Sequence, residues 1–459
     1  MSAITSTDPA RPDEVVASAE PPDASEVSAA VVAAVMAQRD WSAAAPARAE
    51  ALHGFAAALA AREGLAELIT REVGKPIVEA RGEVARAVAI LRYYAQAAFD
   101  PVGELYPGSA AATRVLVRRE PLGVVLAICP WNFPLAIPLW KAAPALAYGN
   151  AVIVKPAAPA IGVAAEIAAV AADVLPDGVL TVLNVPGAEL GSLLDDERIA
   201  AATFTGSTAT GLSVAERLAR RGAPAQAEMG GQNPAIVLDG ADPAAAARLI
   251  VAGAMPFAGQ KCTATRRVVA LESIADRLEE ELVAAVAGLP VGDPAAPETL
   301  VGPLIDGAAA DSFEERVSGA LERGARPLAT AEPPAGAVGH FVPPTLLAAD
   351  DPGDEVNREE TFGPLLTLIR VPDADAAVSA ANATSYGLVG AVHSADVAAA
   401  TAVAEQLECG LIRVNAATPG VDYYAPFGGE KRSSFGPREQ GRAARDFFTT
   451  TRTVTVVSP

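Results

Sequence analysis

Histidine, cysteine and basic charge are all scarce in this chain, and each shortage closes off a class of function. Three histidines in 459 residues, His53, His340 and His393, stand too far apart for a zinc pattern, so no metal site is expected. Three cysteines, Cys129, Cys262 and Cys409, cannot build a disulfide framework, and the odd count suits a reducing, cytoplasmic setting. Lysine and arginine number 35 against 55 acids, a formal charge of −20, so the basic footprint that nucleic acid or an anionic membrane requires is missing. The opening MSAITSTDPARPDEVV has no basic start and no apolar core, so no signal peptide is expected. One uncharged stretch, residues 121–140, is long enough to span a bilayer, but Pro121, Pro130, Pro134 and Pro138 break any helix across it. It reads instead as a strand, an irregular turn and a helix start. What is present is apolar: 51% hydrophobic residues supply sizeable cores, and the length calls for two or three domains.

From about residue 25 to 100, apolar residues recur at helical spacing in alanine-rich segments, which predicts packed helices. The pattern then changes. GVVLAI (123–128), AVIVK (151–155), TVLNV (181–185) and ATFTG (202–206) read as strands. Between them lie a helix ending at Gly149-Asn150, a helix over roughly 160–174 and, after the last strand, a helix beginning near Ser207. Such alternation predicts a parallel, doubly wound sheet, which binds ligands at the carboxyl ends of its strands. A second alternating run, PAIVLDG, RRVVAL, TLIRV, VGAVHS and GLIRVN with helices between, predicts another α/β domain of about 200 residues. ATAEPPAGAVG (329–339) reads as a surface loop. RTVTVV (452–457) alternates like an edge strand without a local partner, the kind that joins a distant part of the molecule or another subunit.

Four segments contain residue types that are costly unless used. FAGQKCTATRR (257–267) sets Cys262 among small polar residues directly after Lys261, a setting that favours a thiolate; a lone cysteine also serves as a buried apolar filler. AEMGGQNP (227–234) puts Glu228 before a Gly-Gly turn, either as a general base beside an open site or as a solvated helix-end charge. In CPWNFP (129–134) the prolines and aromatics fix Asn132, whose amide suits an oxyanion donor or simply a turn. FTGSTATG (204–211), with Gly206, Ser207 and Gly211, is a strand-to-helix junction of the kind that offers backbone N–H groups to a phosphate, although its spacing matches neither common phosphate-loop pattern.

Taken in order, these segments resemble the NAD(P)-dependent aldehyde dehydrogenase family over essentially the whole chain. The landmarks are GKP (74–76), PWNFP (130–134), WK (140–141), GNAVIVKPA (149–157), FTGS (204–207), EMGG (228–231), GQKC (259–262), EETFGP (359–364) and PFGGEKRSS (426–434). NFPLAIPLWKAAPALAYGN, GQKCTAT and SSFGPREQGRAA are closest to the branch that oxidises α-ketoglutarate semialdehyde, or 2,5-dioxovalerate. The resemblance implies that Cys262 is the nucleophile that forms a thiohemiacetal and then a thioester hydrolysed by water. It implies that Asn132 and the Cys262 N–H form the oxyanion hole, and that Glu228 is the general base. Lys141 then lines the cofactor cleft as part of a proton path, with Glu439 as a relay or a structural acid. For the coenzyme it implies Gly206, Ser207 and Gly211 near the pyrophosphate, Trp131 and Thr205 along the nicotinamide half, and Lys155 at the adenosine ribose. Glu360 and Phe362 correspond to the acid and aromatic that hold the nicotinamide ribose and ring.

One departure bears on coenzyme choice. The family usually writes KPAE where this chain has Lys155-Pro156-Ala157-Ala158, so the ribose-gripping glutamate is replaced by Ala158 and NADP is expected to be tolerated beside NAD. The resemblance further implies an α/β fold with a Rossmann-type cofactor domain (1–102 and 122–230), a catalytic domain (231–433) and a small β oligomerisation element (103–121 and 434–459), forming a homodimer or homotetramer. The implied partner is a small aldehyde. If it carries a carboxylate, a guanidinium is wanted, with Arg266, Arg267, Arg438 and Arg442 as candidates, each of which reads more readily as structural or surface-exposed. Two alternatives stand beside hydrolytic oxidation: a CoA-acylating relative, which generally lacks the glutamate, and a catalytically silent member of the fold.

Overall fold

The computed structural model describes residues 3–457. Four helices follow an N-terminal hairpin: α1 (Ala24–Trp41), α2 (Ala45–Ala60), α3 (Leu65–Val73) and α4 (Ile77–Ala97). Asp23 caps α1 through the Ser25 and Glu26 N–H groups and Glu26 reaches back to the Asp23 N–H, which satisfies three otherwise orphaned donors. The hairpin, Ile4–Asp8 with Arg11–Ala19, was not legible in the sequence, because its strands are short and polar.

The strand Val124–Ile128 is buried on both faces, as expected of a central parallel strand. Val125 and Ala127 face a core shared with α2, α3 and α4, whereas Val124, Leu126 and Ile128 face one shared with α1. Its sheet has six strands in the order 434–435, 225–228, 199–205, 124–128, 151–155, 180–182. The first pairing is antiparallel and the others parallel. From 124–128 the chain first builds outward through 151–155 and 180–182, then returns to place 199–205 on the other side. The carboxyl ends of Val124–Ile128 and Ile199–Thr205 therefore form a topological switch point, where a crevice opens. The expected doubly wound architecture is borne out, and the uncharged stretch 121–140 resolves into strand, turn and helix α5 (Ala136–Ala147). No helix among the described residues is long and apolar enough to cross a membrane.

The second sheet has seven strands and its own large core. Asn233–Val237 and Thr265–Leu271 lie side by side near its middle, in parallel. The first two residues of the expected loop 329–339 instead finish the strand Arg326–Thr330. The C-terminal strand Thr449–Val457 finds its partner within the chain, running antiparallel along Thr113–Pro121 in a three-stranded sheet completed by Gly103–Pro107.

Candidate active site

The two sheets meet end to end. The strand Ala225–Glu228 runs out of the first at Glu228, and Met229-Gly230-Gly231 carries the chain into the second at Asn233. Cys262 lies just before Thr265–Leu271, so it sits at the amino end of the second sheet and faces the crevice of the first.

The loop that carries it is strained. Phe257, Ala258 and Gly259 have φ of 59°, 50° and 65°, three successive left-handed residues, two of which bear side chains that disfavour it. Many contacts hold this turn. The Phe257 N–H donates to the Leu300 carbonyl at 2.9 Å. The Gln260 amide bridges the Phe257 and Pro303 carbonyls and accepts from the Ile305 N–H. Arg266, fully buried, donates to the Gly259, Lys261 and Gly363 carbonyls. Asn233 donates to the Cys262 and Ala264 carbonyls, both at 2.8 Å. Together these contacts fix where the Cys262 sulfur points.

Cys262 lines two cavities at once. One, of about 280 Å³, opens at the switch point and gathers Trp131, Asn132, Thr205, Gly206 and Ser207 with Glu360 and Phe362. The other, of about 290 Å³, lies on the opposite side among α4, α5 and the 419–421 loop. A half-buried thiol between two chambers can be reached from both.

The sequence suggested that Lys261 would favour a thiolate, and the geometry corrects this. Its ammonium turns away into an ion pair with Glu79 at 2.7 Å. The Cys262 thiol is pushed up to about 12, first by burial and then by the carboxylates of Glu360 and Glu228. Glu228 is buried and held well above the usual carboxylate range by burial and by the neighbouring charge of Glu439. Its Oε2 accepts from the Ser434 hydroxyl at 2.5 Å, while Oε1 has no partner among the described residues. Ser434 reaches it because residues 434–435 pair with 227–228. Lys141 lines neither cavity. It is buried behind the sheet, donates to Thr203 Oγ1 at 2.9 Å and the Phe204 carbonyl at 3.2 Å, and pairs with Glu439. The ammonium thus pairs with Glu439, and burial drives Glu228 to keep its proton.

Asn132 is buried, and its Nδ2 donates to the Gln260 carbonyl at 2.9 Å, which ties the turn after the first strand to the cysteine loop. Trp131 meets Phe362 edge-on, with ring centroids 5.8 Å apart, so these two rings form one wall of the first cavity. Glu360 accepts from the Gly231 N–H at 3.0 Å. A Cβ at Gly230 would lie 2.4 Å from its Oε2, which accounts for the first of the two glycines in the crossing. Ser207 caps the helix Thr208–Ala219 through the Thr210 N–H. The Gly206 N–H is not free, contrary to the reading of the junction as a set of open donors: it donates to the Glu228 carbonyl at 3.1 Å. Gly211 lines neither cavity; a Cβ there would lie 2.6 Å from the Met229 sulfur, so it lets the helix approach the sheet. Lys155 ends the strand Ala151–Lys155 outside both cavities, with Nζ donating to the Pro156 carbonyl at 2.7 Å.

The residues of the first cavity suit the nicotinamide-ribose end of a dinucleotide. Thr205 Oγ1 is buried there without a partner, the Trp131 and Phe362 rings supply apolar walls, and the Glu360 carboxylate is placed to accept from ribose hydroxyls. Sequence reasoning missed the face of α4. Glu79, Glu83 and Arg86, at i, i+4 and i+7, all line the second cavity. Glu83, buried and paired with Lys75, accepts from the Leu135 and Ala136 N–H groups at 3.0 Å and so fixes the start of α5 beside Asn132. The charge spacing on one helical face was the available signal.

The comparisons with known proteins follow the same lines. The model of the Aldehyde dehydrogenase family matches residues 2–454. An alpha-ketoglutarate semialdehyde dehydrogenase of Haloferax volcanii is 40% identical over 456 residues, 98% of this chain and 94% of that protein. An alpha-ketoglutaric semialdehyde dehydrogenase of Bacillus subtilis is 37% identical, over 98% of this chain and 93% of its own length. The crystal structure of betaine aldehyde dehydrogenase from Staphylococcus aureus in complex with NAD+ superposes with a TM-score of 0.96 at 28% identity, covering 100% of this chain and 92% of that one.

Proposed function

This chain belongs to the aldehyde dehydrogenase family and is an NAD(P)-dependent oxidoreductase of aldehydes, and from that premise we propose that Cys262 is its nucleophile and that its substrate is a short aldehyde bearing a carboxylate. The observation that carries the proposal is the position of Cys262 between two chambers, one suited to the nicotinamide end of a dinucleotide and one with apolar walls and an arginine among its lining residues.

The Cys262 thiol releases its proton to water, its sulfur adds to the aldehyde carbon, and the carbonyl oxygen takes up the negative charge. The Asn132 amide and the Cys262 N–H stabilise that oxygen, each such donor contributing about 10²–10³ in rate. When bound, the coenzyme supplies the acceptor for the hydride that leaves this carbon, and the product on Cys262 is a thioester. Glu228 takes a proton from water, which adds to the thioester; the acid departs and the sulfur is released. A carboxylate raised by burial is a stronger base, once ionised, than a solvated one, so the desolvated position of Glu228 serves this step. Lys141 and Glu439 position Glu228 electrostatically and offer its proton a path through the sheet.

Both NAD and NADP are used. Ala158 brings no carboxylate to the adenosine ribose, and no acid among the described residues pairs with Lys155, so its ammonium is open to a 2′-phosphate. The cofactor domain is read as 1–102 and 122–230, the catalytic domain as 231–433 and the small β element as 103–121 and 434–459, with Ser434–Phe435 crossing over to give the cofactor sheet its edge strand. The sheet of Gly103–Pro107, Thr113–Pro121 and Thr449–Val457 exposes Leu105, Tyr106, Leu116 and Val457, which supports a role in forming a homodimer or homotetramer. The three free thiols agree with the cytoplasm.

The test is NAD(P)H formation with a panel of aldehydes, with and without CoA. Turnover that needs no CoA and favours short aldehydes carrying a carboxylate is expected. A benzaldehyde or a long aliphatic aldehyde that wins on kcat/KM by about tenfold overturns the substrate class, and dependence on CoA overturns hydrolysis.

A further inference from the structure

We propose that Arg86 reads the distal carboxylate of the substrate. This rests on the substrate class proposed above and gives it a receptor.

Four charged side chains line the second cavity, and three of them are neutralised. Glu79 is paired with Lys261 at 2.7 Å, and Glu83 with Lys75. Arg86 makes no ion pair among the described residues, and its one hydrogen bond goes from Nη1 to the Val421 carbonyl. A guanidinium has five donors, so most of this fork remains available on a half-buried residue facing the chamber that Cys262 also lines. The other walls, Phe133, Ile137, Trp140 and Phe427, are apolar. They suit the carbon stem of an aldehyde and weaken the screening of a charge pair at its end.

The net charge sharpens the need. A protein of formal charge −20 repels an anionic substrate, so a local cation must offset that field at the site. The arginines that the sequence suggested are not free to do so. Arg266 and Arg267 are fully buried and spent on backbone carbonyls. Arg438 donates to the Gly429 carbonyl and pairs with Glu430. Arg442 is exposed and lines neither chamber.

The competing account of Arg86 is a tether for the Val421 loop, and the test separates the two. kcat/KM is measured for a five-carbon aldehyde with a terminal carboxylate and for the uncharged aldehyde of the same length, in the native enzyme, Arg86→Gln and Arg86→Lys. Arg86→Gln keeps a donor for the Val421 carbonyl but no charge, and the ratio of the two values should fall by about ten- to a hundredfold. Arg86→Lys keeps the charge and should retain a ratio above that of Arg86→Gln. A native preference that survives Arg86→Gln, or losses that are equal on both aldehydes, overturns this proposal alone. A native enzyme indifferent to the carboxylate overturns the substrate class, and this proposal with it.

Discussion

The resting state of Cys262 yields a sharp prediction about its reactivity. With the thiol pushed up to about 12, only about one molecule in 10⁴ carries a thiolate at pH 8, against about a quarter for an ordinary cysteine. The thiolate is the reacting form, so iodoacetamide should inactivate the coenzyme-free enzyme about a thousandfold more slowly than it labels a free thiol. Below the thiol's pKa each added pH unit raises the ionised fraction about tenfold, so the inactivation rate should climb throughout pH 6.5–10 without levelling. Burial is the largest cause of the shift and cannot be removed by a point change, but the second, the charge of Glu360, can. Glu360→Gln should move the whole profile to lower pH. Peptide mapping after partial inactivation should find the label on Cys262 and not on Cys129, which is more deeply buried, is also raised to about 12 and lines neither chamber. An inactivation rate that levels off below pH 8 would refute the reasoning, because it would mean that a nearby positive charge outweighs burial. A profile indifferent to Glu360→Gln would remove that carboxylate from the neighbourhood of the sulfur.

Three further outcomes are expected. Glu228→Gln should lower steady turnover by about 10²-fold or more, while a burst of NAD(P)H near one per site survives if the base serves hydrolysis; an unchanged steady rate removes Glu228 from the mechanism. Ala158→Glu should move the kcat/KM ratio toward NAD over NADP by about ten- to a hundredfold, and a native enzyme blind to NADP would contradict the reading of Lys155. Lys141→Met leaves the buried Glu439 without its counter-charge and should cost about 3–5 kcal/mol in denaturant titration, most of it recovered in Lys141→Met/Glu439→Gln; a single variant as stable as the native chain would show that the pair is not desolvated.

Strand-and-helix alternation gave the parallel sheets and the order of their elements, because a strand buried on both faces must be a short apolar run and Val124–Ile128 is one. The residues around Cys262 were legible as types that are expensive to keep without a use. Pairings between residues far apart in the chain were not. Nothing local in SSF tells that Ser434 will lie on Glu228, or that Thr449–Val457 will run beside Thr113–Pro121. Neighbourhood in sequence also misled. Lys261 adjoins Cys262, yet its backbone turn sends the ammonium to Glu79, and Arg266 and Arg267, a few residues on, are consumed by carbonyls.

The same distinction explains why α4 carries so much of the site while showing no motif. A motif is visible when one stretch of chain presents several reactive groups, as PWNFP or GQKC does. Helix α4 instead offers one side chain per turn to three different segments. Glu79 takes the lysine of the cysteine loop, Glu83 holds the first N–H groups of α5, and Arg86 donates to the Val421 carbonyl. Each contact lies on the chamber side of the helix, so the helix sets the spacing between Asn132 and Cys262 from behind. The strained turn at Phe257–Gly259 requires such outside support, since left-handed non-glycine residues persist only where their surroundings over-determine them. Weakening α4 should therefore loosen the oxyanion hole before it unfolds the chain. Glu83→Gln, which keeps an acceptor for the Leu135 and Ala136 N–H groups but strands Lys75, should be milder for turnover than Glu83→Leu, which removes both. Steady-state rates alongside thermal melts would check this, and a Glu83→Leu enzyme with native kcat would show that α5 needs no support from this helix.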